Sequence, residues 1–185
     1  MMRTQRHCVA LVTWALVLSL LGGCAWLGFE TADSLMKEGQ QLYVDKKYDE
    51  AITKFERVLE LDGTRWLAYV YLARCYMAKG SWTKTISNAR LAYQASPGGE
   101  DVVPTLTQAL LGGGTEALKN GQFREAISAF TEYVRLRPTD ASGYVALGRA
   151  YMRSGDRSDA LGAFLKALQI NPSMSEVQEL MRGLR

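Results

Sequence analysis

Small side chains recur along this chain at a spacing long enough to hold a pair of helices. Gly39, Ala73, Gly114 and Gly148 form one such series. Its first and third steps, 39 to 73 and 114 to 148, are equal, and the middle step, 73 to 114, is longer. Ala51, Thr85, Ala126 and Ala160 keep the same intervals, as do Phe55, Ala89, Phe130 and Phe164. Self-similarity at a period of roughly 20–50 residues marks stacked supersecondary units rather than one closed core. Within each unit the apolar residues follow helical spacing. Gly80, Gly121 and Gly155 sit at mid-unit, where a turn is needed, and Pro97, Pro138 and Pro172 sit where a second helix must stop. Each unit therefore has room for two helices and the turn between them. Gly or Ala lies where the two backbones cross, and an aromatic ring fills the space beside them. Every such pair leaves apolar surface that only its neighbour can cover, so stability comes from stacking.

The fourth unit, "ASGYVALGRAYMRSGDRSDALGAFLKALQINP", carries Tyr144, Leu147, Gly148, Tyr151, Gly155, Ala160, Phe164, Ala167 and Pro172 in sequence. That pattern resembles the tetratricopeptide repeat, and the resemblance covers residues 32–172. It implies an all-α, right-handed helical solenoid of four helix-turn-helix repeats with a C-terminal capping helix. The expected division is repeats 1 and 2 at 32–98, an inter-repeat insertion at 99–106, repeats 3 and 4 at 107–172, and the cap at 173–185. Ser173 and Glu176 have capping-box spacing, and Val177, Leu180, Met181 and Leu184 give the cap one apolar face. The middle departs from the pattern. Repeat 2 has Ala89 where the others have phenylalanine, with Trp82 available to supply volume. Seven extra residues around "SPGGEDV" precede repeat 3, whose first helix carries Gly112 and Gly113 besides the expected Gly114. A surplus glycine costs a helix about 1 kcal/mol relative to alanine. A weak joint is expected there, either an irregular linker or a hinge.

In tetratricopeptide arrays the first helix of each repeat lines a concave groove. The resemblance assigns to it Met36, Gln40 and Tyr43 from repeat 1, and Leu67, Val70, Arg74 and Met77 from repeat 2. Repeat 3 contributes Leu111, Thr115 and Leu118, and repeat 4 contributes Val145, Arg149 and Met152. The lysine and asparagine that clamp a C-terminal carboxylate in some members are absent, because those places hold Met36, Val70, Leu111 and Val145. An apolar, methionine-bearing groove with two arginines suits an amphipathic helix or extended protein segment carrying some acidic residues.

The first 23 residues read differently. A short cationic stretch with Arg3 and Arg6 precedes "CVALVTWALVLSLL" and then Gly22 and Gly23, the layout of a signal peptide over residues 1–23. "LGGC", ending at Cys24, resembles the lipobox of bacterial lipoproteins. The resemblance implies S-diacylglycerol and N-acyl groups on Cys24, a lipidated tether over 24–31, and no other cofactor. With Ala25 following the cysteine, it further implies an outer-membrane location facing the periplasm. Two alternatives stay open. The stretch from Cys8 to Phe29 is long enough for an uncleaved inner-membrane anchor, and cleavage before Ala25 would release a secreted protein. Trp26, Leu27 and Phe29 would lie at the membrane interface or in a loose tether.

Without residues 1–23 the chain has 20 basic and 19 acidic side chains, a balance that gives no support to nucleic-acid binding. It also has no histidine, since His7 precedes Cys24, and beyond Cys24 a single cysteine, Cys75. The usual general base and the common zinc sites are thus missing. "GGGT" lacks the residues of a phosphate-binding loop. Asp49 with Glu50, and Glu56 with Glu60, read as solvated helix faces rather than a carboxylate pair. The sequence points to a non-enzymatic interaction scaffold at the bacterial envelope, with a protein partner, no small-molecule substrate and no metal. Its layout is similar to tetratricopeptide lipoproteins that assist pilus, secretion, polysaccharide-export or cell-wall machines. A carboxylate-dependent envelope hydrolase and a self-associating structural lipoprotein are the alternatives.

Overall fold

Hairpin-sized periodicity becomes four helix pairs and a ninth helix among the residues, 30–184, that the computed structural model describes. Repeat 1 is α1 (Ala32–Val44) and α2 (Tyr48–Leu61), and repeat 2 is α3 (Trp66–Ala78) and α4 (Trp82–Ala95). Repeat 3 is α5 (Val102–Lys119) and α6 (Phe123–Leu136). Repeat 4 is α7 (Ala141–Ser154) and α8 (Arg157–Ile170), and α9 (Ser175–Arg182) follows. No strand occurs among the described residues. The helices stop where the chain chemistry says they should: Pro97, Pro138 and Pro172 each stand just beyond α4, α6 and α8. Gly80, Gly121 and Gly155 turn the chain within repeats 2, 3 and 4 with φ of 70°, 76° and 95°. Repeat 1 makes the same left-handed turn with Lys46 at φ 60°, a conformation that costs a side chain about 1–2 kcal/mol.

The crossing points behave as their residue sizes require. A methyl group added to Gly39, Gly114 or Gly148 would lie 2.6, 2.8 or 2.5 Å from the ring of Phe55, Phe130 or Phe164. All three rings are buried. Burying such a ring contributes roughly 1.5–3 kcal/mol, and glycine is what lets it lie under the partner helix. Repeat 2 solves the crossing differently. Ala73 and Ala89 are both buried and small, and the aromatic volume moves to Trp82 at the start of α4. A methyl group on Gly112 of α5 would strike the Trp82 ring, and one on Gly113 would lie 2.6 Å from Ile86. The surplus glycines are thus a socket for α4.

Of the two forms expected for the joint, the irregular linker is overturned. The seven extra residues do not form an irregular linker over 99–106; α5 begins at Val102 and runs unbroken to Lys119. Val102, Thr105, Leu106 and Thr107 in the added turns are buried. The first helix of repeat 3 therefore starts at 102, earlier than the division at 107 implied. The capping box also does not form. Asn171 Oδ1 accepts from both the Ser173 amide (3.2 Å) and its hydroxyl (2.7 Å), so α9 starts after Met174 without a side-chain cap. The apolar face of α9 is as expected: Val177 is buried, and Leu180, Met181 and Leu184 pack with Phe164 and Val145 in one core.

Candidate functional site

Packing order decides which side of the stack is free to bind. Every helix packs on the next, and the first helices also touch in series, α1 on α3, α3 on α5 and α5 on α7. The second helices have no comparable contact with one another. First helices therefore close into a continuous inner face, and second helices splay apart on the outer one.

The expected groove residues divide by depth. Leu111 (39% exposed) and Thr115 stand out from α5, with the Thr115 hydroxyl donating to the Leu111 carbonyl at 2.7 Å. Gln40, Tyr43, Leu67, Arg74, Met77, Leu118, Arg149 and Met152 are part-exposed. Met36, Val70 and Val145 are buried, so these three support the face instead of forming it. The cause is visible in their neighbours. Met36 shares a core with Leu72 and Cys75 of α3, Val70 with Val102 of α5, and Val145 with Val177 of α9. Each is covered by the next element but one.

At the repeat 1–2 end the face is aromatic. Tyr43 meets Tyr48 at 5.9 Å and Tyr71 edge-on at 5.5 Å, and Tyr71 stacks on Phe55 at 5.1 Å. Burial holds the Tyr43 hydroxyl above the ordinary phenol range, so it stays a neutral donor. The Arg74 guanidinium lies 5.6 Å from the Tyr71 ring centre and pairs with Asp101 at 2.9 Å. Arg149 pairs with Glu176 at the start of α9. The two groove arginines are thus already engaged within the chain, which spacing along one helix does not reveal because each carboxylate lies beyond the next helix.

Chemistry elsewhere is sparse. Cys75 is fully buried, and burial pushes its thiol up to about 12, as expected for a small core residue. No group of three or more potential metal ligands occurs among the described residues. Asp49 pairs with Lys79, Glu50 with Lys47 (3.9 Å) and Glu60 with Arg57 (2.5 Å), while Glu56 accepts from the Tyr76 hydroxyl at 3.3 Å. These are surface contacts. A cleft of about 1020 Å³ opens on the outer side between α4 and α6, floored by Gly113 and Ala117 of α5. Sequence reasoning did not anticipate it; the surplus glycine at 113, which keeps the floor low, was the available signal. Cys24, Trp26, Leu27 and Phe29 lie outside the described residues. No described helix is long and apolar enough to cross a membrane.

Comparisons with known proteins agree with this architecture. Over 62 residues, 34% of this chain, it is 37% identical to cellulose synthase operon protein C of Escherichia coli strain K12, and spans about 5% of that relative's length. The solved structure of MamA protein superimposes with a TM-score of 0.59 at 22% identity, covering 84% of this chain and 85% of that one. A MamA fragment from Desulfovibrio magneticus RS-1 gives 0.56 at 16% identity, with 83% and 82% covered. Both likenesses concern the fold. A family model described as tetratricopeptide repeat matches residues 36–100 and 111–175. With two repeats in each matched block and helix pairs filling both, this chain belongs to the tetratricopeptide repeat family.

Proposed function

We propose that this chain is a non-enzymatic scaffold, held at the bacterial envelope by lipid on Cys24, that takes a protein segment on its inner face while an envelope machine is assembled. The observation that carries the reading is the unbroken inner face of α1, α3, α5 and α7. It presents Tyr43, Leu67, Met77, Leu111, Leu118 and Met152 beside Arg74 and Arg149. Apolar side chains of adaptable shape, bordered by guanidinium groups, fit an amphipathic partner better than a small polar substrate. The "LGGC" sequence supports acylation, and Ala25 after the cysteine supports an outer-membrane, periplasm-facing position. The partial likeness to cellulose synthase operon protein C makes a cellulose-synthesis machine one candidate setting, beside pilus, secretion, polysaccharide-export and cell-wall complexes.

Affinity capture from detergent-solubilised membranes tests contact and location together. A partner recovered with the wild-type chain and lost with Leu111→Asp, at unchanged helicity, supports the inner face. Identical partners from both proteins would overturn that assignment. Cys24→Ser should lose both acyl labelling and membrane retention. Retention without acylation would replace the lipid by an uncleaved apolar anchor.

A further inference from the structure

Arg74 and Arg149 occupy the same place in the two matched blocks, and the carboxylates that hold them each stand just past the end of a block. The step along the chain from Arg74 to Asp101 equals the step from Arg149 to Glu176. Both acids sit where a helix begins: Asp101 is the residue before α5, and Glu176 is in the first turn of α9. Val102 and Val177, the next residue in each case, cover Val70 and Val145. One local arrangement is thus built twice, at the centre and at the far end of the inner face. An acid at a helix N-terminus is favoured by the backbone dipole.

We propose that Asp101 and Glu176 are built-in competitors, occupying the two groove arginines until a partner segment bearing its own carboxylates displaces them. This rests on the inner-face reading above and specifies the partner: an amphipathic segment with two acidic positions, one for each arginine, between apolar ones. The exchange is permitted by the exposure of both pairs. The Asp101 and Glu176 side chains are 48% and 65% exposed, and ion pairs in that setting are weak. It is favoured by what surrounds Arg74: Tyr71 holds the guanidinium from one side by cation–π contact, so the group stays in place when its carboxylate leaves. An arginine held in one position while its acid is interchangeable is suited to selecting acidic partners and rejecting neutral ones. An unpaired buried or half-buried cation would instead attract anions indiscriminately.

The test uses the full chain in detergent, with a fluorescein-labelled amphipathic peptide bearing paired glutamates as the probe, followed by anisotropy. Asp101→Asn with Glu176→Gln removes both competitors conservatively, and asparagine tolerates the left-handed backbone at position 101 (φ 64°). This double variant is expected to bind the peptide about three- to tenfold more tightly than wild type. Arg74→Gln with Arg149→Gln should weaken binding at least tenfold, and a matched peptide with glutamine for glutamate should bind all forms alike. Unchanged or weaker binding by the acid variant, with the arginine variant still impaired, would overturn the competitor role and leave the inner-face reading intact. Binding that ignores both double variants, or no binding by any form, would overturn both. A clear fall in thermal midpoint of the acid variant without any gain in affinity would assign the pairs a purely structural role.

Discussion

Repeats 2 and 4 stand at the same place in the two halves of the molecule and solve one packing problem in opposite ways. In repeat 4 the large residue is internal: Phe164 lies under Gly148 of its own hairpin. In repeat 2 the crossing is small against small, Ala73 with Ala89, and the ring is Trp82, which reaches into the next hairpin at Gly112. Both place one aromatic ring, but one arrangement secures a hairpin and the other secures a junction. An array built from near-identical units thus acquires a specific seam by moving one aromatic from inside a repeat to its border. Complementary small and large surfaces, not helix propensity, decide where such a stack is firm.

The sharpest way to break this comparison is Gly112→Ala. Propensity alone would make the exchange stabilising by about 1 kcal/mol. Packing against Trp82 makes it destabilising instead, by about 1–3 kcal/mol, seen as a lower urea midpoint. A gain in stability would restore the weak-joint reading of the triple glycine.

A second contrast lies at the junctions within the halves. Between repeats 3 and 4, the Tyr133 hydroxyl donates to Asp140 Oδ2 at 2.5 Å, and Asp140 caps α7 by accepting from the Ser142 amide at 2.9 Å. Gly143 makes room for the ring. The corresponding place between repeats 1 and 2 holds Val58 and Arg65, with Arg65 tied to Asp62 and Asp33, both at 2.7 Å. Asp140→Ala should cost about 1–2 kcal/mol as a lost N-cap. The Tyr133 hydrogen bond, followed by the amides of α7, holds the Asp140 carboxyl below its ordinary range, while burial and Asp140 push Tyr133 up to about 12. Asp140 therefore stabilises the fold above the unfolded carboxylate value and loses that contribution as pH falls through its folded value. Tyr133 contributes below its unfolded value near 10 and loses it as pH rises toward about 12. Unfolding followed from pH 6 to 2 should show a smaller acid loss in the Asp140→Ala chain than in wild type. Equal slopes would remove Asp140 as the source.

The smallest effect concerns the turns. Lys46 alone among the four equivalent turn residues is not glycine, and Lys46→Gly should stabilise by up to about 1 kcal/mol. The same thermal midpoint in both chains would mean that lysine bears no strain there.

What was legible in the sequence was whatever depends on residue size at fixed spacing. Gly39 with Phe55 and Gly148 with Phe164 announce the hairpins because both partners lie inside one period. Gly112 was misjudged because its partner, Trp82, belongs to a different repeat. The glycines of "SPGGEDV" do mark a turn, but Val102 and Leu106 beyond them had a face to cover, and that drew the helix forward. Ser173 failed as a cap because Asn171, just before it, claims both its amide and its hydroxyl. The family resemblance points to the first helices, which do touch in series, but it misjudges depth at Met36, Val70 and Val145. Depth there depends on what the next repeat or the cap brings, which no spacing within a repeat encodes.

Cys75 carries a last consequence. Burial disfavours the thiolate that would react, and this thiol has no exposed surface besides. Its reaction with a thiol reagent must wait for α3 to part from the core it shares with α1 and α2. The rate of that reaction is then a clock for local opening, readable without altering a single residue. A partner seated on the inner face of α3 would slow the clock, and a loosened seam would quicken it.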